Sequence, residues 1–539
     1  PLYGGFSGSL GVLNIPPLDL QQVEIIKGSS STLYGGGAIG GLINFISKTP
    51  AATPAATLLL NQTTLGETNA HAYLSRRFGG AQGFTLLAAA TRRPARDLNH
   101  DGFAEIAQTA PLMLHPRWFF GLGKKTGGDL GVNFSQNHLR GGDQAAIREN
   151  QASAEHPFYQ RERIQRFTAH GQIHTLLSPT ATWTLRGAGS AFGRSGMYAG
   201  LDFAGRQLNT YLETNVLWHV RQTDAVLGGS LTTEHFDLRH SAPTVAFGDF
   251  GQQTAGVFAQ LDRRFSQKVA LQLGLRTDHS SRYGWFVLPR ASLLYRPGAQ
   301  LSARLGYGRG YKAPDLFAAT EPSDFTRLLP LSASIRPDLA HSLNLDLNYR
   351  LLLFEALSLQ FNQAFYYVHL TAPFVLQRDA AGAIFLENAH ATGQVLGTDS
   401  YLQLRYAAWE LYLGYNHTQS ERRATDRSKS PEPFNPQDKV AATLAWSLAP
   451  HWRFGLEAAW TGRQYGNGGE GYPTFWFFAG MVARQFNWGR VVLNCENLGD
   501  ARQARHAPLV TGSRLAPAFA PLWGPVEGRV VNLSVKLDL

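Results

Sequence analysis

The sequence predicts an all-β chain built as one large transmembrane antiparallel β-barrel, and three observations carry the prediction. From about residue 57 to the end, segments of roughly eight to twelve residues alternate apolar and polar positions, the period at which strand side chains point to opposite faces. Charged residues make up 16% of the 539, against about 25% in soluble domains, while aromatics reach 12%. The connections alternate between short and long, as in barrels whose turns lie on one side of a membrane and loops on the other.

The last segment alternates most clearly: Val531, Leu533, Val535, Leu537 and Leu539 interleave with Asn532, Ser534, Lys536 and Asp538. Leu357, Leu359, Phe361, Phe365 and Tyr367 stand in the same way against Ser358, Gln360 and Asn362. Trp409, Leu411, Leu413 and Tyr415 stand against Glu410, Tyr412, Gly414 and Asn416. A soluble sandwich also alternates. A membrane barrel is favoured because the pattern persists throughout and aromatics sit near segment ends, as in interfacial girdles. Residues 51–539, at roughly 20–25 per strand and connection, make about 22 strands, and closure removes the edges they would otherwise expose. Short connections are expected at 124–128 and 296–298. Long loops are expected from Arg93 to about His115, from His138 to about Tyr159 and from Gly310 to about Ile335.

Length alone would suggest about three or four domains, but no fixed-period repeat or long linker divides the chain. No apolar run reaches the ~18 residues of a membrane-spanning helix. The chain begins at Pro1 without Met, as a cut chain would, so the lack of a visible signal segment carries no weight. Cys495 is the single cysteine, which leaves no intrachain disulfide and reads as a small apolar strand residue. The net charge is +10. Arginines are scattered rather than gathered on one face or helix, which argues against a nucleic-acid partner and for a cationic lumen or mouth that receives an anionic ligand.

Residues 1–50 differ from the rest: rich in Gly and Ser, with short apolar segments at 23–26 and 42–46 that read as strands joined by glycine turns. Here Gln22-Val23-Glu24-Ile25-Ile26-Lys27-Gly28, followed by Ser31-Thr32-Leu33-Tyr34-Gly35-Gly36-Gly37-Ala38-Ile39-Gly40-Gly41-Leu42-Ile43-Asn44, resembles the end of the plug domain of TonB-dependent outer-membrane receptors. Glu24, Lys27, Gly28, Tyr34, Gly35, Gly40, Gly41 and Asn44 carry the plug motif. Further landmarks follow in Gly274-Leu275-Arg276-Thr277-Asp278, in Gly310-Tyr311-Lys312-Ala313-Pro314-Asp315-Leu316, in Arg336-Pro337-Asp338-Leu339 and in Asn494-Cys495-Glu496-Asn497-Leu498. The wording is similar to Bacteroidetes iron-complex and colicin-type receptors. The resemblance implies that 1–50 is the C-terminal part of a plug domain, truncated at its N-terminus, and that 51–539 is the barrel.

The resemblance also implies active import across the outer membrane of a Gram-negative bacterium, driven by the TonB–ExbB–ExbD complex, with no catalysis on the cargo. A TonB box is not among these residues. A ferric siderophore is the leading cargo; haem, cobalamin, another metal complex or a saccharide are alternatives, and a passive porin or an adhesion barrel is the rival class. The haem receptors of this family place a His between the two barrel motifs, and 315–335 has none. Arg161, Arg163, Arg309, Lys312 and Arg327, with Tyr311, lie in or beside the expected outer loops and are the candidate ligand contacts, since Arg grips carboxylate or catecholate oxygens bidentately and aromatics stack. Asp97, Asn99, Asp101 and Glu105, with Gly102, match the first half of a calcium loop. Gln108 stands where the bidentate Glu belongs, so an Asx-rich turn is the competing reading. No cofactor is otherwise expected. Gly193-Arg194-Ser195-Gly196 is no nucleophile elbow, and no hydrolase triad or zinc motif stands out, so no enzyme is expected.

Overall fold

The structure, a computed structural model, describes residues 6, 16–28, 31–198, 201–241, 245–317, 322–354, 356–424, 426 and 428–539. The side chains of Lys27, Ser31, Pro322 and Ser323 lie outside that description.

Twenty-two strands, from Ala55–Thr63 to Val530–Asp538, form one closed antiparallel barrel, and two short pieces, Gln108–Thr109 and Lys429–Pro431, add to one rim. First and last strands complete the closure, with Leu58 opposite Leu537 and Leu60 opposite Val535. Closure pairs the wall's backbone N–H and C=O groups, the condition for crossing hydrocarbon with strands. Tyr159–Ser178 and Leu201–Val220 each have 20 residues, well beyond the ~9–11 that cross a bilayer, so one end of each extends beyond the membrane.

At one rim every connection among the described residues is a tight turn: 79–81, 121–125, 179–180, 221–222, 265–268, 296–300, 407–408, 449–451 and 487–488. The opposite rim carries the long connections, among them 93–111, 143–158, 313–337, 371–390 and 497–529. The turn expected at 124–128 falls at 121–125, where Gly121 and Gly123 supply positive φ (62° and 71°). The loop expected from His138 begins later, because cross-strand pairing continues through Arg140 opposite Arg161 to Gly142 opposite Tyr159.

Alternation sorts side chains between outside and lumen. On Val269–Ser280, Leu273 and Leu275 face out, while Arg276 and Asp278 face in and are 6% and 1% exposed. Stacked Trp409–Trp446 and Phe486–Trp488 make part of an aromatic girdle at the short-turn rim. A polar trio lies on the exterior: Gln363 donates to Thr398 Oγ1 and accepts from Ser400 Oγ, so its members satisfy one another as a membrane-facing surface requires. Inside the barrel sits a hairpin, Leu20–Lys27 paired with Gly41–Ser47, with a helical turn at Ser31–Tyr34.

Candidate functional site

Gly28 and the segment from Ser31 to Ile39 lie against the inner wall. The chain takes positive φ at Gly28 (77°) and Gly35 (85°), which glycine adopts without strain. Gly36 is needed for a different reason. Its backbone lies on the ring of Tyr311, and a Cβ there would come 2.1 Å from Tyr311 Cε1. The wall reciprocates at Gly274, where a Cβ would stand 2.4 Å from Oγ1 of the fully buried Thr32.

Tyr311 is the centre of this seat. Its N–H donates to the Gly36 carbonyl (3.1 Å), its ring stacks on Phe286 at 3.8 Å, and its hydroxyl donates to Asp278 Oδ2 (3.2 Å). Asp278 also accepts from Arg276 Nε (2.7 Å), whose Nη2 reaches Ser230 Oγ (2.8 Å). Strand Leu301–Lys312 pairs with Gly284–Tyr295 only as far as Gly308 opposite Arg290. The end of that strand is thereby released from one neighbour, and Tyr311 turns into the lumen.

Three further contacts hold the N-terminal segment. The hairpin is tied internally by Asn44 Nδ2 donating to Glu24 Oε2 (3.0 Å), with Gln22 Nε2 on Oε1 (2.7 Å). Near the short-turn rim, Lys48 Nζ donates to the Leu18 carbonyl (2.6 Å), and His115 Nδ1 lies 3.4 Å from Asp19 Oδ2. Towards the long-loop rim, Phe6 is fully buried among Phe192, Phe203, Phe236, Phe317 and Phe325. Between the hairpin and the wall remains a polar cavity of about 300 Å³, lined by Ile25 and Ile26 on one side and by Arg290, Arg304, Asn344 and Asp346 on the other.

Among the motif residues, Gly28 approaches Asn344 and Gly35 approaches Arg276. Gly41 pairs with Lys27 across the hairpin, Tyr34 is half-exposed, and Gly40 faces open space. The candidate ligand contacts divide. Tyr311 belongs to the seat. Lys312, the next residue, is exposed, as is Arg327 on the loop 313–337. Arg309 is half-buried, with an N–H towards the Val287 carbonyl (3.5 Å). Arg161 and Arg163 share the outward face of their strand with Phe167, so they do not line the lumen. Lumenal arginines are largely matched to lumenal carboxylates: Arg117 to Asp129, Arg194 to Glu162 and Arg276 to Asp278.

The loop at 93–111 brings the carboxylates of Asp97, Asp101 and Glu105 within 4.8 Å of one another. Asp97 accepts from the amides of His100 (2.7 Å) and Gly102 (2.9 Å), and Asn99 from that of Asp101 (2.9 Å). These bonds make an Asx-rich turn that supports itself. Burial, together with the neighbouring Asp101 and Asp97 charges, pushes the Glu105 carboxyl above its usual range against a backbone amide from Leu98.

A closed wall with a short-turn rim, a long-loop rim and a peptide segment seated in its lumen defines a plugged transmembrane β-barrel. Residues 108–498 match the family profile "TonB dependent receptor-like, beta-barrel" and residues 1–42 match "TonB-dependent Receptor Plug Domain". The chain belongs to the TonB-dependent receptor family, whose members sit in the outer membrane and act as transport receptors coupled to TonB. Solved structures of the same fold include the siderophore receptor PirA from Pseudomonas aeruginosa (15% identity, 97% of this chain and 88% of that one, TM-score 0.73). The ferric-catecholate import receptor Fiu from Escherichia coli K12, in its closed form, is similar at 14% identity (97% and 86% covered, TM-score 0.73). A variant of the ferric enterobactin receptor PfeA from Pseudomonas aeruginosa, with enterobactin bound, is similar at 14% identity (97% and 87% covered, TM-score 0.78).

Phe6, Thr32 and Gly36 make contacts with the wall that the sequence did not single out. Gly36 stood inside the glycine run, but nothing in the run marks which glycine meets an aromatic ring.

Proposed function

We propose that this protein imports a ferric siderophore across the outer membrane of a Gram-negative bacterium, driven by TonB with ExbB and ExbD. The observation that carries the reading is the adjacency of Tyr311 and Lys312. Tyr311 holds the plug at Gly36, and Lys312, exposed at the foot of the long loop, is placed to meet an anionic complex entering from outside. A ligand that pulls on Lys312 and Arg327 acts one residue from the plug contact. Signalling requires only that it bind the seated and unseated plug with different affinity. The short-turn rim is then periplasmic and the long loops extracellular. On this reading the chain acts as a transport receptor and performs no catalysis.

Growth of a deletion strain under iron limitation tests the cargo. At least one ferric siderophore in a panel of catecholate, hydroxamate and citrate types is expected to lose its growth support, with restoration by the intact gene and weaker restoration by Lys312→Glu. Unaltered growth on every siderophore contradicts the reading. For the 97–105 loop we propose a calcium ion held by Asp97, Asn99, Asp101 and Glu105. Calorimetric titration is expected to give a saturable heat that Glu105→Gln removes; a flat titration leaves the turn as its own support.

A further inference from the structure

One part of the barrel's exterior gathers cations that have no acidic partner among the described residues. On Thr126–Gly142 and Tyr159–Ser178 the exterior face carries Leu130, Phe134 and Phe167, and moving towards the long loops the same face continues through Gln136, His138 and Arg140 and through Gln165, Arg163 and Arg161. These are direct neighbours: Arg140 pairs with Arg161, and His138 with Arg163. Like charges directly opposite on adjacent strands are destabilising. Yet among the described residues no carboxylate lies within ion-pair distance of Arg140, Arg161 or Arg163, in contrast to the matched arginines of the lumen. Asp202, an acid on the same face, lies opposite Met197, which pairs with Arg161. It is therefore two strands away, or about 10 Å.

The height of the cluster is fixed by the belt below it. Leu177 to Phe167 spans the ~10 residues that a tilted strand needs to cross hydrocarbon, and Arg163 and Arg161 follow four and six residues later. At about 3.3 Å per residue on a strand tilted near 40°, their backbones stand roughly 10–15 Å beyond the last exposed aromatic, above a headgroup layer about 5–8 Å thick, and arginine side chains are long enough to reach down to it. Planar guanidiniums side by side are suited to bidentate contact with phosphate oxygens, and Phe134 and Phe167 beneath them offer apolar surface to acyl chains.

We propose that Arg140, Arg161 and Arg163, with His138, form an exterior binding site for the phosphate groups of a phosphomonoester-bearing glycolipid in the surrounding outer leaflet. The site has no part in cargo binding. The bound phosphates supply the counter-charge that the Arg140–Arg161 pair lacks.

The test uses the purified full chain in phosphatidylethanolamine nanodiscs with either diphosphorylated lipid A or phosphatidylglycerol added, and lipid retained per barrel is read by native mass spectrometry. Wild type is expected to retain lipid A preferentially. The triple variant R140Q/R161Q/R163Q is expected to bind it at least tenfold more weakly, and the triple Lys variant should fall between, because an ammonium keeps the charge but not the fork. Heat-modifiable migration on gels confirms the folded barrel; if the triple Gln variant does not fold, Arg161→Gln and Arg163→Gln singly carry the comparison. Equal lipid A retention by wild type and Gln variants overturns the proposal, and so does equal preference for phosphatidylglycerol. A stabilisation of the detergent-solubilised protein by inorganic phosphate as large as that by lipid A also overturns it, since the site would then be one for a soluble anion.

Discussion

Gly36→Val is expected to unseat the plug while leaving the barrel folded. The added side chain would begin 2.1 Å from the Tyr311 ring, and the ring cannot retreat, because Phe286 is stacked on its other face. Either the plug loop lifts off the wall or Tyr311 swings away and gives up its bond to Asp278. Overpacking costs about 1–3 kcal/mol and the lost hydrogen bond about 1 kcal/mol more, so a sum near 3 kcal/mol raises the ratio of unseated to seated plug roughly 100-fold. Hydrogen–deuterium exchange reads this directly. Peptides covering 20–47 should exchange about 100-fold faster than in wild type, with wall strands such as Val269–Ser280 unchanged. Equal protection of the plug peptides in both proteins would show that Gly36 and Tyr311 do not hold it.

Arg276→Leu is expected to destabilise the seat through charge rather than shape. Asp278 is almost fully buried and keeps its carboxylate beside Arg276. Removing the guanidinium leaves a buried anion with only the Tyr311 hydroxyl as a strong donor, and breaking such a pair costs about 3–5 kcal/mol. Denaturant unfolding followed by tryptophan fluorescence should show the loss. The double variant R276L/D278N should recover much of it, because the uncompensated charge is then gone. A double variant no more stable than Arg276→Leu would mean that the arginine acts by packing alone.

The wall was legible because its information is periodic: the alternation in 531–539 or 357–367 survives any error in strand boundaries, and closure follows from the number of segments. The plug motif was legible because its glycines are tied to backbone geometry. The roles of single residues were less so. Tyr311 stands beside Lys312 at the start of a loop, where an aromatic next to a cation reads as a ligand contact. Only the pairing that stops at Gly308 reveals that it turns inward. Arg161 and Arg163 could have been placed from the sequence, since counting back by twos from the exposed Phe167 puts both on the outward face. Phe6 offered no signal: its partners, from Phe192 to Phe325, lie more than 180 residues away, and an isolated aromatic in a glycine-rich stretch has no period to read.

Residues 1–50 are expected to close a barrel that would otherwise conduct. Ion conductance across planar bilayers tests it with the full chain and with a chain lacking 1–50. The full chain should be closed at rest, and the shortened barrel should open a steady, large conductance. Equal conductance in the two proteins would contradict the account, because the lumen would then be either open with the plug present or blocked by something else.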